Sequence, residues 1–415
     1  MAKKNKTSSA GIFGRRNRLS LPAYLFLRSA FFAADCLFLV PLVCLAAVSR
    51  VFNRSIDVGL GPVPLINNVY HKRALELYGY SAETFVDSLW STTNEFDYKR
   101  FVELPLLVRA FTPYYLMARS LISYKCVYVY FTGGPLRLTT FLCYMEPLLF
   151  WLAGIKTVAM PFGSDVNVLT RTPNLLFKHG IGQNYPGLRL ERRRTALLVD
   201  TWTAGADCII GGCDWVDYLY HWDHLMLAHF SIDTQKWPYT GVRDDITDRN
   251  TPLLLLHAPN HRALKGTDAL VQAVGELRAE GVSIELQILE GVPNDRVRAT
   301  ISSADVIVDQ LIIGAYAMFA LEAMSTGKPT VCHMRRDLEE LFIGAGLVTE
   351  EEIPLVRADI FTIKDVLRHI EENRQELADI GRRSRTFVEK HHSLKAIGAQ
   401  FDSINRRIGL TPSNV

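Results

Sequence analysis

Hydrophobic and polar residues along this chain follow a repeating order of short apolar runs, glycine-containing turns and helical stretches. From Arg54 onwards this order is typical of a parallel α/β sheet. The run Pro252–His257 is apolar up to its last residue, as is typical of a parallel strand that is buried on both faces. The predicted strands are, in chain order, Ser55–Leu60, Glu83–Leu89, Lys125–Phe131, Lys156–Pro161, Asp207–Ile210, Pro252–His257, Ile284–Leu289, Asp305–Val308 and Pro329–His333.

The same pattern divides the chain into two halves. Between residues 231 and 251 the composition is that of a linker, with Pro238, Gly241 and several charges. We predict two doubly wound, Rossmann-like domains that face a cleft, because ligands of such sheets bind beyond the carboxyl ends of the strands. Helices are expected over Ile363–Glu389 and Leu394–Ile408. The predicted parts are a basic and hydrophobic segment (1–54), a first domain (55–240), a second domain (241–385) and a C-terminal helical segment (386–415).

One segment ahead of the first domain is hydrophobic enough to enter a membrane. Ser29–Val48 has one charge, Asp35, and one proline, Pro41, and a helix of about 20 apolar residues can cross a bilayer. Three interpretations are open: a transmembrane anchor, a helix lying in the membrane interface, and a cleaved signal peptide. Residues 1–18 carry six Lys or Arg and no acid, which predicts a cytoplasmic N-terminus. A single crossing would then conflict with a main domain that uses a cytosolic substrate.

Composition and charge exclude several other classes of protein. The 415 residues are 48% hydrophobic and 21% charged, which excludes a wholly disordered chain. The 46 Lys and Arg against 43 Asp and Glu give a net charge of +3, without the excess expected of a dedicated nucleic-acid-binding protein. The seven cysteines include no C-x-x-C pair, so neither a zinc ribbon nor a secreted disulfide framework is favoured.

Three strand-end turns of the second half carry candidate chemistry. In the first, Arg262 and Lys265-Gly266 stand near a helix start, where main-chain N–H groups and positive side chains can act together on a diphosphate. Solvated cations on a loop are the alternative. In the second, Glu322 lies in an apolar run behind small residues, and it needs a partner, which ribose hydroxyls or an internal ion pair would supply. In the third, Gly291 could border a base.

Together these turns resemble the nucleotide-sugar domain of retaining glycosyltransferases of the GT-B fold. The closest group is glycosyltransferase family 4, also called group 1 glycosyltransferases. The resemblance extends more loosely upstream and covers roughly residues 55–408. It implies a C-terminal helix that returns towards the first domain. The matching residues, in order, are Arg262, Lys265-Gly266, the loop Gly314–Ala317, Leu321-Glu322-Ala323-Met324 and Gly327-Lys328-Pro329.

The sequence departs from the family pattern at three places. The family carries two glutamates eight positions apart; the second matches Glu322, but the first position is Gly314. Asp309, or Gln310 beside it, is a candidate substitute for the missing carboxylate. The family's glycine after the first glutamate is Ala317. Where many members have a histidine after a first-domain strand, this chain offers Asp165, which is either a site residue or a turn-forming aspartate.

For the mechanism, the resemblance implies front-face attack, in which the leaving phosphate oxygen accepts the proton of the incoming hydroxyl. Arg262 and Lys265 would stabilise the diphosphate as charge builds on it, helped by the Gly61 turn of the first domain. Glu322 would hold the ribose, and Asp165 would orient the sugar or the acceptor. Enzymes of this fold generally need no bound metal, so we expect neither a metal nor a cofactor.

The acceptor is predicted from the membrane-seeking segments. Phe96–Tyr124 combines aromatic and basic residues, and it is either a membrane-facing stretch or a buried helix with a polar edge. Together with residues 29–48 it predicts a glycan or lipid-linked acceptor at the cytoplasmic face of a membrane, as in envelope polysaccharide assembly. Two other classes stay open: a sugar-nucleotide epimerase or phosphorylase on the same fold, and a non-catalytic partner subunit, which Gly314 supports.

Overall fold

The computed structural model describes residues 21–90, 93–99, 104–185, 187–292 and 294–413. The basic tail at 1–18 and residues 100–103 of the predicted aromatic and basic stretch lie outside these ranges. The predicted apolar helix near the N-terminus is present as α1 (Leu21–Ser49), and its part from Arg28 to Ser49 is long and apolar enough to cross a membrane.

The first half is a parallel sheet flanked by helices. Its strands lie in the order β2-β1-β3-β4-β5-β6 in the described part of the chain, and all pairs are parallel. The strands are β1 (Ile56–Leu60), β2 (Ala82–Thr84), β3 (Tyr124–Tyr130), β4 (Lys156–Met160), β5 (Cys208–Gly211) and β6 (His224–Leu225). The helices are α2 (Ile66–Glu76), α3 (Leu106–Arg109), α4 (Thr112–Ser123), α5 (Glu146–Ala153), α6 (Leu175–Asn184) and α7 (Gly187–Gly205), with 3₁₀ turns at Leu142–Tyr144 and Cys213–Tyr218.

The second half repeats this architecture. Its described strands lie in the order β11-β10-β9-β7-β8, again parallel throughout. They are β7 (Leu253–His257), β8 (Ile284–Ile288), β9 (Val306–Val308), β10 (Thr330–Cys332) and β11 (Val356–Arg357). The helices are α8 (Arg262–Lys265), α9 (Thr267–Ala279), α10 (Asn294–Ser303), α11 (Met318–Ser325), α12 (Arg336–Gly344), α13 (Ile363–Glu372), α14 (Leu377–His391) and α15 (Leu394–Arg407), with a 3₁₀ turn at Arg374–Glu376.

In both sheets the first strand lies at the point where the strand order reverses. β1 pairs with β2 on one side and with β3 on the other, and β7 pairs with β8 and β9 in the same way. In open parallel sheets this reversal opens a crevice beyond the carboxyl end of the strand, where ligands bind. The chain leaves β1 at Gly61 and leaves β7 at Ala258. The turns that begin at these two residues are therefore where the fold predicts ligand binding.

The last helix belongs to the core of the first half. Ile397, Phe401 and Ile404 of α15 are buried with Tyr128 and other side chains of the first sheet. The Tyr128 hydroxyl donates to Oδ1 of Asn405 over 2.9 Å. The chain therefore crosses from the second half back to the first after α14.

Two of the predicted elements differ in extent from the observed ones, and the two-residue strands β6 and β11 were not predicted. The strand predicted at Glu83–Leu89 is the short β2, which ends at Thr84. The helix predicted over Ile363–Glu389 is broken into α13 and α14. Arg374 lies at this break, almost fully buried, and donates to the carbonyls of Thr251 (2.9 Å) and Ser283 (3.0 Å). A helical period alone does not reveal such a contact.

Candidate functional site

Lys265 and Asp309 join the ends of two neighbouring strands of the second sheet. The chain leaves β7 and forms α8, which ends at Gly266 with a φ of +74°. Lys265 is 8% exposed; its Nζ lies 2.6 Å from Oδ1 of Asp309, directly after β9, and 2.9 Å from Oε1 of Gln310. A Cβ at Gly266 would lie 2.9 Å from Leu311, so close packing of the two turns as well as the positive φ requires glycine.

Arg262 connects the same turn to a third strand end. Its Nη1 lies 3.1 Å from Oε2 of Glu290, which precedes Gly291, and its Nη2 lies 3.4 Å from Oδ1 of Asp268. The Arg262 side chain is 44% exposed, and its partners are at least as exposed. Gly291 has a φ of +65°, so its backbone requires glycine even though its surroundings are open. The fold thus brings Arg262, Lys265, Gly291 and Asp309 to one edge of the second sheet.

Glu322 is a buried carboxyl group on α11 close to this edge. Burial, and after it the negative charge of Asp309, raise its pKa to about 8, and Arg298 opposes the shift. Glu322 also interacts electrostatically with Tyr70 on α2 of the first half. Burial raises the pKa of Tyr70, and the charge of Glu322 adds to that shift. Ala317 is the N-cap residue of the same helix. Glu322 thus interacts with Asp309 of this edge, and its predicted contact with a ribose stays a prediction.

Arg335 fills the space that Gly314 leaves open. A Cβ at position 314 would lie 2.3 Å from Cδ and 2.4 Å from Cγ of Arg335, and the Arg335 N–H donates to the Gly314 carbonyl over 2.9 Å. Both guanidinium Nη atoms contact the carboxylate of Asp217 in the first half, one of them at 3.2 Å. Asp337 is a second partner. Both side chains of the Arg335–Asp217 pair are largely buried, so this pair is an interior link between the halves.

In the first half, Gly61 is explained by packing. A Cβ at this position would lie 2.1 Å from the Phe85 carbonyl oxygen, so the chain that follows β2 leaves no space for a side chain. The Gly61 N–H donates to the Tyr128 carbonyl over 3.3 Å. A close approach to a diphosphate is compatible with this arrangement but is not needed to account for the glycine.

Asp165 holds together the ends of two strands of the first sheet. Its Oδ1 accepts from the N–H groups of Phe162 and Gly163, both at 2.9 Å, and its Oδ2 accepts from Phe131 at 3.1 Å. The residue is 2% exposed, and burial raises its pKa to about 7 although the three N–H groups oppose the shift. These contacts are those of a turn-forming aspartate. Its predicted contact with a sugar or acceptor stays a prediction.

A buried histidine stands at the same strand end. His229 Nε2 contacts the carbonyl oxygen of Pro161, and the His229 ring lies 5.3 Å from that of Trp215. His71 Nε2 in turn lies 2.8 Å from the His229 carbonyl. Sequence reasoning missed His229 because it follows β6 rather than β4. Its one signal is a lone polar residue inside the apolar run Met226–Phe230.

Helix α6 closes one side of the cleft. Phe177 and Ile181 of α6 pack on Leu264 of α8, and Tyr185 lies edge-on to His261 with the ring centroids 5.0 Å apart. The Asn174 side chain caps the helix and also donates to the Ile312 carbonyl over 2.7 Å. Access to Lys265 is therefore restricted from this side. Within the described ranges, we found no group of three or more His, Cys, Asp or Glu residues arranged to hold a metal ion.

Comparisons with known proteins support the fold, and they identify neither a donor nor an acceptor for this chain. No family model matches the chain. No curated protein matches it either. The sucrose-phosphate synthase of Thermosynechococcus elongatus is similar in structure, with a TM-score of 0.54 and 13% identity over 85% of this chain and 99% of that one. This likeness and the two parallel sheets confirm the predicted GT-B fold class.

Other solved glycosyltransferases are similar at lower scores. A glycosyltransferase from Rickettsia africae ESF-5 has a TM-score of 0.48 and 11% identity over 86% of this chain and 99% of that one. WaaG, a glycosyltransferase involved in lipopolysaccharide biosynthesis, has a TM-score of 0.46 and 12% identity over 84% of this chain and 99% of that one. A shared fold does not determine substrate or activity.

Proposed function

We propose that this protein transfers a sugar from a nucleotide-sugar donor to a glycan or lipid-linked acceptor at a membrane. The observation that carries the proposal is the meeting of three strand-end turns at the reversal point of the second sheet. Arg262 contacts Glu290, Lys265 contacts Asp309, and Glu322 lies buried beside them. In this arrangement the cation Arg262 suits the diphosphate of a nucleotide sugar, the Gly291 turn suits its base, and the carboxyl group of Glu322 suits its ribose.

Arg262 is the residue best able to turn towards the diphosphate. Its partners Glu290 and Asp268 are exposed, and exposed ion pairs contribute only about 0–1 kcal/mol, so exchanging them for a diphosphate costs little. Lys265 is different, because removing it from Asp309 would leave a buried carboxylate unpaired. We therefore assign direct charge stabilisation to Arg262 and positioning of the turn to Lys265.

Glu322 is assigned to the ribose. Because burial raises its pKa to about 8, the carboxyl group is mostly protonated at neutral pH and can both donate to and accept from hydroxyl groups. A ribose offers two neighbouring hydroxyls for this purpose. The hydrogen bonds would replace water at a group that is otherwise costly to bury.

We assign the protein to the retaining glycosyltransferases of family 4 and to front-face transfer. The bond from the anomeric carbon to the diphosphate oxygen breaks, the acceptor oxygen bonds to the same face, and the acceptor proton passes to the leaving oxygen. This course needs no protein nucleophile. It fits an Asp165 whose two oxygens are already engaged by main-chain N–H groups.

A non-catalytic subunit of the same fold is the second candidate, and Arg335 favours it. The methylene groups of Arg335 occupy the space next to position 314, where the family pattern has its first glutamate, and the guanidinium links the halves through Asp217. In an active transferase, Arg335 or Asp217 would make the contacts with the donor sugar that the first glutamate makes in the family pattern. In a non-catalytic subunit the pair would simply hold the cleft closed.

A panel of nucleotide sugars, measured by calorimetry with the full chain, tests the proposal. We expect at least one donor to bind, and Arg262→Ala to weaken that binding about tenfold or more, because charge-assisted contacts to phosphate are lost. The matched control is Arg336→Ala, since Arg336 is an exposed arginine of the same half that pairs with Glu340. Absence of binding for every donor would contradict the transferase proposal and favour the non-catalytic subunit.

A further inference from the structure

Helix α1 turns its two charged residues towards the protein and many of its large apolar residues outwards. Asp35 is fully buried: Oδ1 accepts from the Tyr114 hydroxyl at 2.7 Å, and Oδ2 accepts from the N–H groups of Thr140 (2.9 Å) and Phe141 (2.8 Å). Arg28 donates to the Thr139 carbonyl over 3.2 Å. The exposed side of the helix carries Leu25, Phe26, Phe32, Leu37, Val40 and Val48, each more than half exposed.

This orientation is the reverse of that on a water-exposed surface. There, a helix buries its apolar stripe and shows charges to the solvent. Arg28 and Asp35 are the charged residues of α1, and both bond to the body of the protein. In membrane proteins polar side chains face the protein and apolar ones face lipid. The outer side of α1 therefore has the chemistry of a surface that contacts hydrocarbon.

The apolar surface continues from α1 onto its neighbours. The Phe38 ring stacks on Tyr114 of α4 at 4.3 Å and meets the Phe111 ring at 6.1 Å. Phe111 is 51% exposed, and Trp151 of α5 is 66% exposed. Aromatic side chains such as these are enriched at the boundary between lipid and water. The result is a band across α1, α4 and α5, which we call the apolar band.

Contacts near both ends of α1 tie it to the body of the protein. Near its start, Arg28 bonds to Thr139, as described above. At its end, Arg54 donates to the carbonyls of Ser49 and Ala153, both at 2.8 Å, and to that of Leu121 at 3.0 Å. A helix that crossed a bilayer while keeping these contacts would draw the polar groups of the body into hydrocarbon, which is costly.

We propose that the apolar band enters one leaflet of an anionic membrane and that α1 lies along the surface without crossing it. The anionic lipid is argued from residues 1–18, which carry six Lys or Arg and no acid immediately before α1. This attachment would place an acceptor of the proposed function near the cleft. It does not depend on that function, because a chain that transfers no sugar can still bind lipid.

Vesicle binding tests the band. The full chain is mixed with phosphatidylcholine vesicles with or without phosphatidylglycerol, and the bound fraction is measured by sedimentation. We expect stronger binding with phosphatidylglycerol, and a loss of about tenfold or more in the double variant Leu37→Ser/Val40→Ser, because two large side chains leave the hydrocarbon. The matched control, Leu77→Ser/Phe361→Ser, changes equally exposed residues outside the band and should bind as the parent does. Equal binding by both double variants would overturn the proposal.

Labelling separates a surface helix from a crossing one. Ser9→Cys lies before α1 and Asn53→Cys after it, and each is introduced after the exposed Cys36 and Cys44 have been changed to Ala. An impermeant maleimide added outside closed vesicles that carry the bound protein should label both positions. Labelling of one position with protection of the other would show a crossing and overturn the proposal. So would a lipid-free dimer that does not bind vesicles and that Leu37→Ser/Val40→Ser dissociates.

Discussion

Arg335 and Asp217 form an ion pair across the cleft, and Gly314 makes this pair possible. Nη2 of Arg335 lies 3.2 Å from Oδ1 of Asp217. The Cδ atom of Arg335 would lie 2.3 Å from a Cβ atom at position 314. A glutamate at position 314, as in the family pattern, therefore excludes the observed Arg335 conformation. Asp217 of the first half thus brings a carboxylate close to the Arg335 side chain that packs on Gly314.

Gly314→Ala should destabilise the protein through Arg335. The new methyl group would collide with the middle of a largely buried side chain, and such overpacking costs about 1–3 kcal/mol. The measurement is the free energy of unfolding in urea. Gly344→Ala is the matched control, because nothing lies within 4 Å of a Cβ there.

A double-variant cycle shows whether the two positions are coupled. In Gly314→Ala/Arg335→Ala the collision is gone, so the double variant should be more stable than the sum of the two single effects predicts. Additive effects would mean that Gly314 is required for a reason other than Arg335, such as close approach of a ligand.

Lys265→Met should destabilise the fold, whereas Arg262→Ala should not. Breaking a buried ion pair by removing one partner costs about 3–5 kcal/mol, and Asp309 is 1% exposed beside Lys265. Loss of the exposed Arg262 pairs should cost about 0–1 kcal/mol. Urea unfolding measures both, and calorimetry with a bound nucleotide sugar should show the main loss of affinity for Arg262→Ala.

A further variant tests the cause of the Lys265 effect. Lys265→Met/Asp309→Asn removes the unpaired charge and should recover part of the stability. If Lys265→Met unfolds in the same way as the parent protein, then the buried pair contributes little and Lys265 is available to the diphosphate.

Asp165→Asn distinguishes the two interpretations of Asp165. If the side chain only holds the turn, the loss of one acceptor for main-chain N–H groups should cost about 1–3 kcal/mol and leave donor affinity unchanged. Asp207→Asn is the matched control, because Asp207 accepts from the Thr157 N–H over 2.9 Å at the start of β4, the opposite end from Asp165. A fall in transfer rate for Asp165→Asn but not for Asp207→Asn would make Asp165 a site residue.

The fold could be predicted from the sequence because its strands, turns and linker are visible in local patterns of hydrophobic and polar residues. The apolar strand of Leu253–His257, the glycine turns and the linker composition are all readable without contacts between distant residues. The break in the helix at Arg374 was not readable, because its partners lie more than 90 residues away along the chain. Element types followed from periodicity, whereas an interruption caused by a long-range hydrogen bond did not.

The placement of the candidate residues was predictable only where they follow strands. Arg262, Lys265, Gly291 and Asp309 were expected to lie together because parallel strands bring their carboxyl ends to one edge. Arg335 and Asp217 were missed, because their pairing depends on the orientation of the two halves. His229 was missed because a turn outside the strand-end pattern brings it to Pro161.

His392 should make folding sensitive to acid. The residue is fully buried between the first half and Tyr316, whose hydroxyl lies 2.9 Å from Nε2, and burial lowers the His392 pKa to about 3. Above the unfolded pKa of about 6.5 both states are neutral, so this histidine contributes no pH dependence there. Below it, the unfolded chain takes up a proton that the folded chain refuses, and stability is lost by about 1.4 kcal/mol per pH unit down to the folded pKa.

The difference between the parent protein and His392→Gln isolates this effect. Other buried groups also titrate, since the pKa values of Glu146 and Glu322 are both raised to about 8, but they are the same in the two proteins and cancel. Between about pH 7.5 and pH 5 the parent should lose about 2 kcal/mol more unfolding free energy than His392→Gln, whatever their stabilities at neutral pH. His221→Gln changes an exposed histidine and should follow the parent. Equal pH slopes for all three proteins would mean that the folded state admits a proton at His392, and that its contact with Tyr316 opens to water.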